Sequence, residues 1–315
     1  MRLAVMGAGA VGTSVLELAA EYGHRVVAIA DSSSAAVDAT GLDPATVTER
    51  KRETGSVGTA TVETALAAEY DALVEATPTT LGDAEPGYSY VVEAFERDRH
   101  VVLANKGPVA ERYADVRAAE AASDGDLLFE ATVAGAIPTL STITDLGPGH
   151  VTAVRGVLNG TANFILSRMA AEGLDYEHVL AEAQDLGVAE TDPSFDVEGT
   201  DAALKCVILA NVLYDREYTL ADAAVDGIAD LPGSVLELAA EDGRTVRLVG
   251  EVADGEIAVG PRLVPENGTL AVTGTRNIVQ LETASAGQLN ISGRGAGGPE
   301  TASAVLADVG RLAKR

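Results

Sequence analysis

A chain of 315 residues has room for two ordinary domains or one large α/β domain, and its 47% hydrophobic content excludes an acidic disordered protein. The net charge of −26, from 48 acids against 22 bases, is spread along the chain and argues against a nucleic-acid binder, which needs a basic surface. No apolar run is long enough for a membrane span, and the one cysteine, Cys206, allows no intrachain disulfide, so a cytoplasmic chain is expected.

Residues 2–6 read as a short apolar strand. A glycine turn follows, then helical spacing over 11–22 and a second strand over 26–30, closed by Asp31. The turn is G-A-G-A-V-G, with Gly7, Gly9, Ala10, Val11 and Gly12 as candidate contacts to a dinucleotide. The first glycine permits the tight turn, the second a close approach of pyrophosphate, the third close packing of helix on strand. The helix that follows offers its N-terminal amides to phosphate. Asp31, nineteen residues beyond Gly12, is placed to accept from an adenosine ribose, which favours NAD over NADP. Arg50, Lys51 and Arg52 are the basic cluster of this half; they form either a solvated helix face or a partner for a 2′-phosphate.

Further strands are expected over 72–76, 101–104 and 127–130, with helices over 88–97 and 113–123 between them. Strands alternating with helices imply a parallel sheet covered on its faces. Ligands bind beyond the carboxyl ends of such strands, so Thr77 and Pro78 after one, and Asn105 and Lys106 after another, are candidates for the same crevice.

The pattern changes after about residue 140. A strand over 151–158 precedes helices over 163–172, 176–186 and 198–213. Residues 245–251, 256–265 and 277–283 alternate as antiparallel strands do, and 300–312 returns to a helix. The expected fold is therefore α/β: a Rossmann-type parallel-sheet domain over 1–138, rejoined by 293–315, plus an α+β substrate and dimerisation domain with an antiparallel sheet over 139–292.

Only four lysines stand against eighteen arginines. Two of them, Lys106 and Lys205, lie in conspicuous motifs, and lysine can exchange a proton where arginine cannot. Lys205 closes a segment holding Glu190, Asp192, Asp196, Glu198 and Asp201. Asp201 and Lys205 are one helical turn apart within an otherwise apolar helix, so the pair is expected to face a buried pocket. Cys206, in the same helix, reads as a core thiol rather than a nucleophile. Diffuse acidity with scarce lysine suggests a halophilic protein, since concentrated salt screens self-repulsion.

With these motifs the chain resembles homoserine dehydrogenases. The resemblance rests on the glycine turn, E-A-T-P-T-T at 75–80, A-N-K-G-P at 104–108, E-A-T-V-A-G-A-I-P at 130–138, N-G-T-A-N at 159–163, the 187–205 segment and G-A-G-G-P-E-T-A-S-A-V near the C-terminus. It implies reversible NAD- or NADP-linked interconversion of L-homoserine and L-aspartate 4-semialdehyde in threonine and methionine biosynthesis, by a homodimer. It places Lys205 and Lys106 at the reacting oxygen, Glu190, Asp201 and Asp196 around the substrate ammonium and the lysine, and Gly160 and Thr161 along the substrate pocket. It implies a Na⁺ or K⁺ held by the backbone carbonyls of Glu130, Val133, Gly135 and Ile137. Gly295 belongs to a late glycine stretch at the cofactor edge, where Arg294 replaces the usual proline. The chain stops soon after that motif, so feedback through a C-terminal regulatory domain is not expected. A related amino-acid dehydrogenase or a non-catalytic NAD sensor would explain the glycine turn but not the two lysines together with N-G-T.

Overall fold

A computed structural model describes residues 1–314, which divide into two compact units. The first runs from Met1 to Ala136 and resumes at Ala296; the second is Ile137–Gly295.

The first unit is built on six strands: β1 (Arg2–Met6), β2 (Arg25–Ala30), β3 (Ala35–Val37), β4 (Ala72–Glu75), β5 (His100–Leu103) and β6 (Leu127–Leu128). Their order is β3-β2-β1-β4-β5-β6, all parallel except β3, which runs against β2. β1, β4 and β5 are almost wholly buried, as strands covered on both faces must be, which is why they read as continuous apolar runs. The strand order turns at β1, so the crevice beyond its carboxyl end is the switch point of the sheet. Helix Ala10–Leu18 opens there, and helix Gly298–Leu312 packs along it. Gly298 permits that approach: a Cβ on it would lie 2.8 Å from the carbonyl oxygen of Ala10. Val5, Val15, Val305 and Val309 are fully buried in the core these elements share. β6 is shorter than expected, because the chain leaves the sheet for a 3₁₀ turn at Glu130–Thr132.

The second unit holds β7 (Val151–Val157), β8 (Ala223–Val225), β9 (Arg244–Ala253), β10 (Glu256–Pro265), β11 (Arg276–Thr283) and β12 (Gly287–Arg294). Their order is β12-β11-β7-β9-β10-β8, antiparallel except where β8 runs with β10. Helices Gly160–Glu172 and Thr200–Tyr214 pack on this sheet. The α/β reading, a parallel Rossmann-type sheet plus an α+β unit with a mostly antiparallel sheet, is borne out. β3, β8 and β12 were not anticipated. The first two have three residues each, and β12 alternates half-buried Leu289 and Ile291 with exposed Gln288, Asn290 and Ser292, too short an apolar alternation to stand out.

Candidate active site

The three glycines of the first turn have three different reasons to be glycine. Gly7 has a φ of +107°, and a Cβ there would sit 2.3 Å from the carbonyl oxygen of Ala76 at the end of β4. A Cβ on Gly12 would meet the carbonyl oxygen of Gly7 at 1.7 Å, so helix and strand touch through hydrogen alone. Gly9 meets nothing within 4 Å. Packing does not require a glycine there, whereas a phosphate lying against the backbone would. Gly9 caps helix Ala10–Leu18 without any side-chain hydrogen bond, so no side chain of the cap competes for the amides of Ala10 and Val11. The residues present therefore fit a dinucleotide.

Asp31 ends β2 as expected, but its carboxylate is already engaged. One oxygen accepts from the backbone of Ser33 and Ser34, at 3.0 and 2.8 Å, and from both hydroxyls. The other accepts from Lys51 Nζ at 2.7 Å. Burial opposes ionisation of Asp31, yet Lys51 and the serine donors outweigh it and hold the carboxyl far below the usual range. The basic cluster thus splits. Lys51, in the last turn of helix Pro44–Thr54, reaches Asp31, while Arg52 is 73% exposed among Glu49 and Glu53.

A buried polar cluster joins the ends of β4 and β5. Glu75 is fully buried; one carboxylate oxygen accepts from the amide and hydroxyl of Thr77, and the other finds no hydrogen-bond partner. Asn105 donates to the Thr77 hydroxyl at 3.2 Å and accepts from the amide of Gly107 at 2.9 Å. The backbone of Lys106 donates to the hydroxyl of Thr79 at 3.4 Å. Desolvation pushes the Glu75 carboxyl up to about 7, against the Thr77 hydrogen bonds that pull it down. Thr77, Asn105 and Lys106 therefore stand on one braced platform, with Pro78 inside its first loop.

In the second unit the acid segment meets its lysine. Lys205 Nζ lies 2.6 Å from Asp201 and donates to the carbonyl of Leu158 at 2.6 Å; Asp201 and Lys205 are both buried. Asn159 accounts for the arrangement. Its side-chain oxygen caps helix Gly160–Glu172 at the amide of Ala162, and its amide donates to Asp201 at 2.9 Å and to Asp196 at 2.6 Å. Asp196, Asp201 and Lys205 are thus brought together by the first residue of N-G-T, which the residue-by-residue reading passed over. Gly160 faces the carbonyl of Thr275, and Thr161 donates to the carbonyl of Val188 at 3.1 Å, tying this helix to the loop before the acids. Glu190 does not join the cluster: it lies exposed, its backbone carbonyl accepting from Gln184. Cys206 is core, as read: burial pushes its thiol up to about 12, and its sulfur fills the space a Cβ on Gly250 would need.

The carbonyl of Ile137 already accepts from the amide and hydroxyl of Thr139, at 2.8 and 3.3 Å, and that of Glu130 accepts from Val133 at 3.2 Å. Ile137 thus does not fit the expected cation set without losing those bonds. Among the described residues no cluster of His, Cys, Asp and Glu suits a metal ion. Gly295 also has a local reason: a Cβ there would lie 2.0 Å from the side-chain nitrogen of Asn277.

A glycine cradle at the switch point of a parallel sheet, with a buried acid–lysine cluster in an α+β unit, defines a two-unit dinucleotide-dependent oxidoreductase. Comparisons make this particular. Residues 138–309 match the model of the homoserine dehydrogenase family, and residues 1–81 match the glutamate/leucine/phenylalanine/valine dehydrogenase model. The chain is 39% identical to the homoserine dehydrogenase of Methanocaldococcus jannaschii, covering 98% of this chain and 97% of that one. It is 38% identical to the NAD(+)-dependent homoserine dehydrogenase of Pseudomonas canavaninivorans, over 76% of this chain and 70% of the other. The solved structure of an Archaeoglobus fulgidus protein assigned as a homoserine dehydrogenase superposes with a TM-score of 0.91 at 38% identity, covering 99% of both chains. A hyperthermophilic archaeal homoserine dehydrogenase in complex with NADPH gives 0.85 at 27% identity, over 98% of this chain and 96% of that one. The chain belongs to the homoserine dehydrogenase family.

Proposed function

We propose that the protein catalyses the reversible, NAD(P)-linked interconversion of L-homoserine and L-aspartate 4-semialdehyde, in threonine and methionine biosynthesis. The observation that carries this is the Asn159–Asp201–Lys205 cluster, an ammonium withdrawn from water and held at a defined point. The bound nicotinamide supplies the hydride acceptor or donor. In oxidation Lys205, as the free amine, takes the hydroxyl proton; in reduction its ammonium returns that proton and stabilises the negative charge developing on oxygen. Lys106 assists, presented by the braced platform after β5. Asp196 and Asp201 hold positive charge at the site, the lysine and the substrate ammonium, with Glu190 closing over the latter from its loop and Gly160 and Thr161 lining the pocket.

Lys51 bears on the cofactor. With its ammonium on Asp31, the repulsion that an isolated carboxylate would offer a 2′-phosphate is offset, so the reading of Asp31 as an NAD determinant weakens and both cofactors are accepted. The relatives point both ways, one NAD(+)-dependent and one complexed with NADPH. The test is formation of reduced nicotinamide from homoserine with NAD⁺ and NADP⁺ in parallel; no turnover with either from folded protein would overturn the assignment. A homodimer in the cytoplasm completes the proposal, checked for assembly by light scattering. The charge of −26 supports a halophilic setting, in which unfolding temperature rises from about 0.1 M to about 3 M KCl; equal stability at both would sink it.

A further inference from the structure

One backbone oxygen is shared by two buried side chains. The carbonyl of Leu158, one residue past β7, accepts from Lys205 Nζ at 2.6 Å and from Asn277 Nδ2 at 2.8 Å. Leu158 and Asn277 are each 1% exposed. Asn277 is the second residue of β11, on the side of the pairing with β7 where Ile278 opposes Val157. Its neighbours Ile278, Val279 and Leu281 are buried and apolar, and the strand's other buried amide, Gln280, donates to Thr269 and Asn290. Its side-chain oxygen is also buried without a hydrogen-bond partner, a desolvation cost that an apolar residue would avoid. The chain at Gly295 closes over this amide, leaving no room for a Cβ. The fold thus keeps a polar group where packing alone would not, and surrounds it closely.

We propose that Asn277 is a positioning residue for Lys205, acting through the shared Leu158 oxygen. The inference rests on the reading of Lys205 as the acid/base group. Asn277 fixes the direction of the carbonyl and takes part of its acceptor capacity. Lys205 is then held in place by Asp201 and Leu158, while the carbonyl's preference for the charged ammonium is moderated. The titratable groups around Lys205 are Asp201 and Cys206 on its own helix, Asp196 across the Asn159 amide, and Glu251 on β9, which is paired with Arg155.

Removing the competing donor leaves the Leu158 oxygen to the lysine alone, and a carboxylate in its place adds opposite charge. Both changes favour the ammonium over the free amine. The experiment is the pH profile of kcat for homoserine oxidation by the full chain, comparing wild type, Asn277→Ala, Asn277→Asp and Lys205→Ala. The expected result is a limb moved to higher pH by about one unit in Asn277→Asp and by less in Asn277→Ala, with kcat lowered and KM little changed. Folded variants whose limb stays in place overturn the proposal, since a purely structural asparagine would lower stability without moving it. If Asn277→Ala does not fold, the isosteric Asn277→Asp carries the test. Retention of turnover by Lys205→Ala would instead remove the lysine from the chemistry, a failure visible without reference to Asn277.

Discussion

Glu75 in the first unit and Asp201 in the second are both carboxylates withdrawn from solvent, at 0% and 7% exposure, and their neighbours differ in kind. Glu75 is surrounded by a hydroxyl, amides and one unfilled acceptor position, with no cation in contact. Burial then favours its protonated form, and the carboxyl rises to about 7. Asp201 has an ammonium at 2.6 Å and an asparagine amide at 2.9 Å. A buried carboxylate and a buried ammonium in contact offset each other's desolvation, so the pair keeps charge inside the protein. The first arrangement is suited to bracing loops, the second to moving a proton.

The largest expected effect tests the second half of that contrast. Lys205→Ala should lower kcat by about 10²–10⁴, the usual span for a general acid/base group, and raise KM much less. Steady-state kinetics with homoserine would show it, and a loss confined to KM would make Lys205 a binding residue only. Next comes Asp201→Asn, which leaves the ammonium of Lys205 without its carboxylate. Breaking a buried pair by removing one member costs about 3–5 kcal/mol. Chemical denaturation should read a loss of that size, whereas the Asp201→Leu, Lys205→Met double variant should recover stability and not activity. Equal destabilisation in single and double variants would mean that the pair does not compensate itself.

Glu75 gives the opposite sign. Its proton is held until about pH 7 in the folded chain and released near 4.5 in the unfolded one. Between those values the folded state binds more protons, so its stability falls as pH rises, by about 3 kcal/mol in all. Asp308 adds a slope of the same sign that ends lower. Burial, above all, pushes it up to about 6, despite the Glu130 amide and the nearby Arg311. Glu75→Gln should therefore remove most of the fall between about pH 6 and 7 and leave the lower part, as read by denaturant midpoints across that range. A variant with the wild-type slope would show that Glu75 is ionised throughout.

These sites were unequally legible in the sequence. Gly7, Gly9 and Gly12 could be read because their reasons lie in a local strand–turn–helix; those of Gly7 and Gly12 reappear in the geometry, and Gly9 has open space beside it. Asp201 and Lys205 could be read because helical spacing alone puts them on one face. Asn159 could have been found, since it heads N-G-T at a helix start, but its bridging of Asp196 and Asp201 spans 37 and 42 residues. Asn277, 119 residues from Leu158, leaves no trace in its own neighbourhood beyond a polar residue entering an apolar strand. Glu75 looked like the end of a strand, and only the closing of Asn105 and Gly87 over it makes it a buried acid.

Lys51 lies between these cases, and it supplies the smallest effect. The sequence left its cluster as either a solvated face or a phosphate partner; helix Pro44–Thr54 settles the lysine on Asp31. The lysine side chain is still 34% exposed, so solvent screens the pair and its contribution to stability is small. Selectivity is the better readout. In Lys51→Ala, Asp31 keeps its serine donors and its charge but loses the ammonium that offsets it. A ribose hydroxyl can still donate to that carboxylate, while a 2′-phosphate now meets repulsion. KM for NADP⁺ should rise by about tenfold, the scale of one lost ionic contact, with that for NAD⁺ little changed. An equal change for both cofactors would place Lys51 outside the recognition of the 2′ position and restore the simpler view of Asp31 as an NAD determinant.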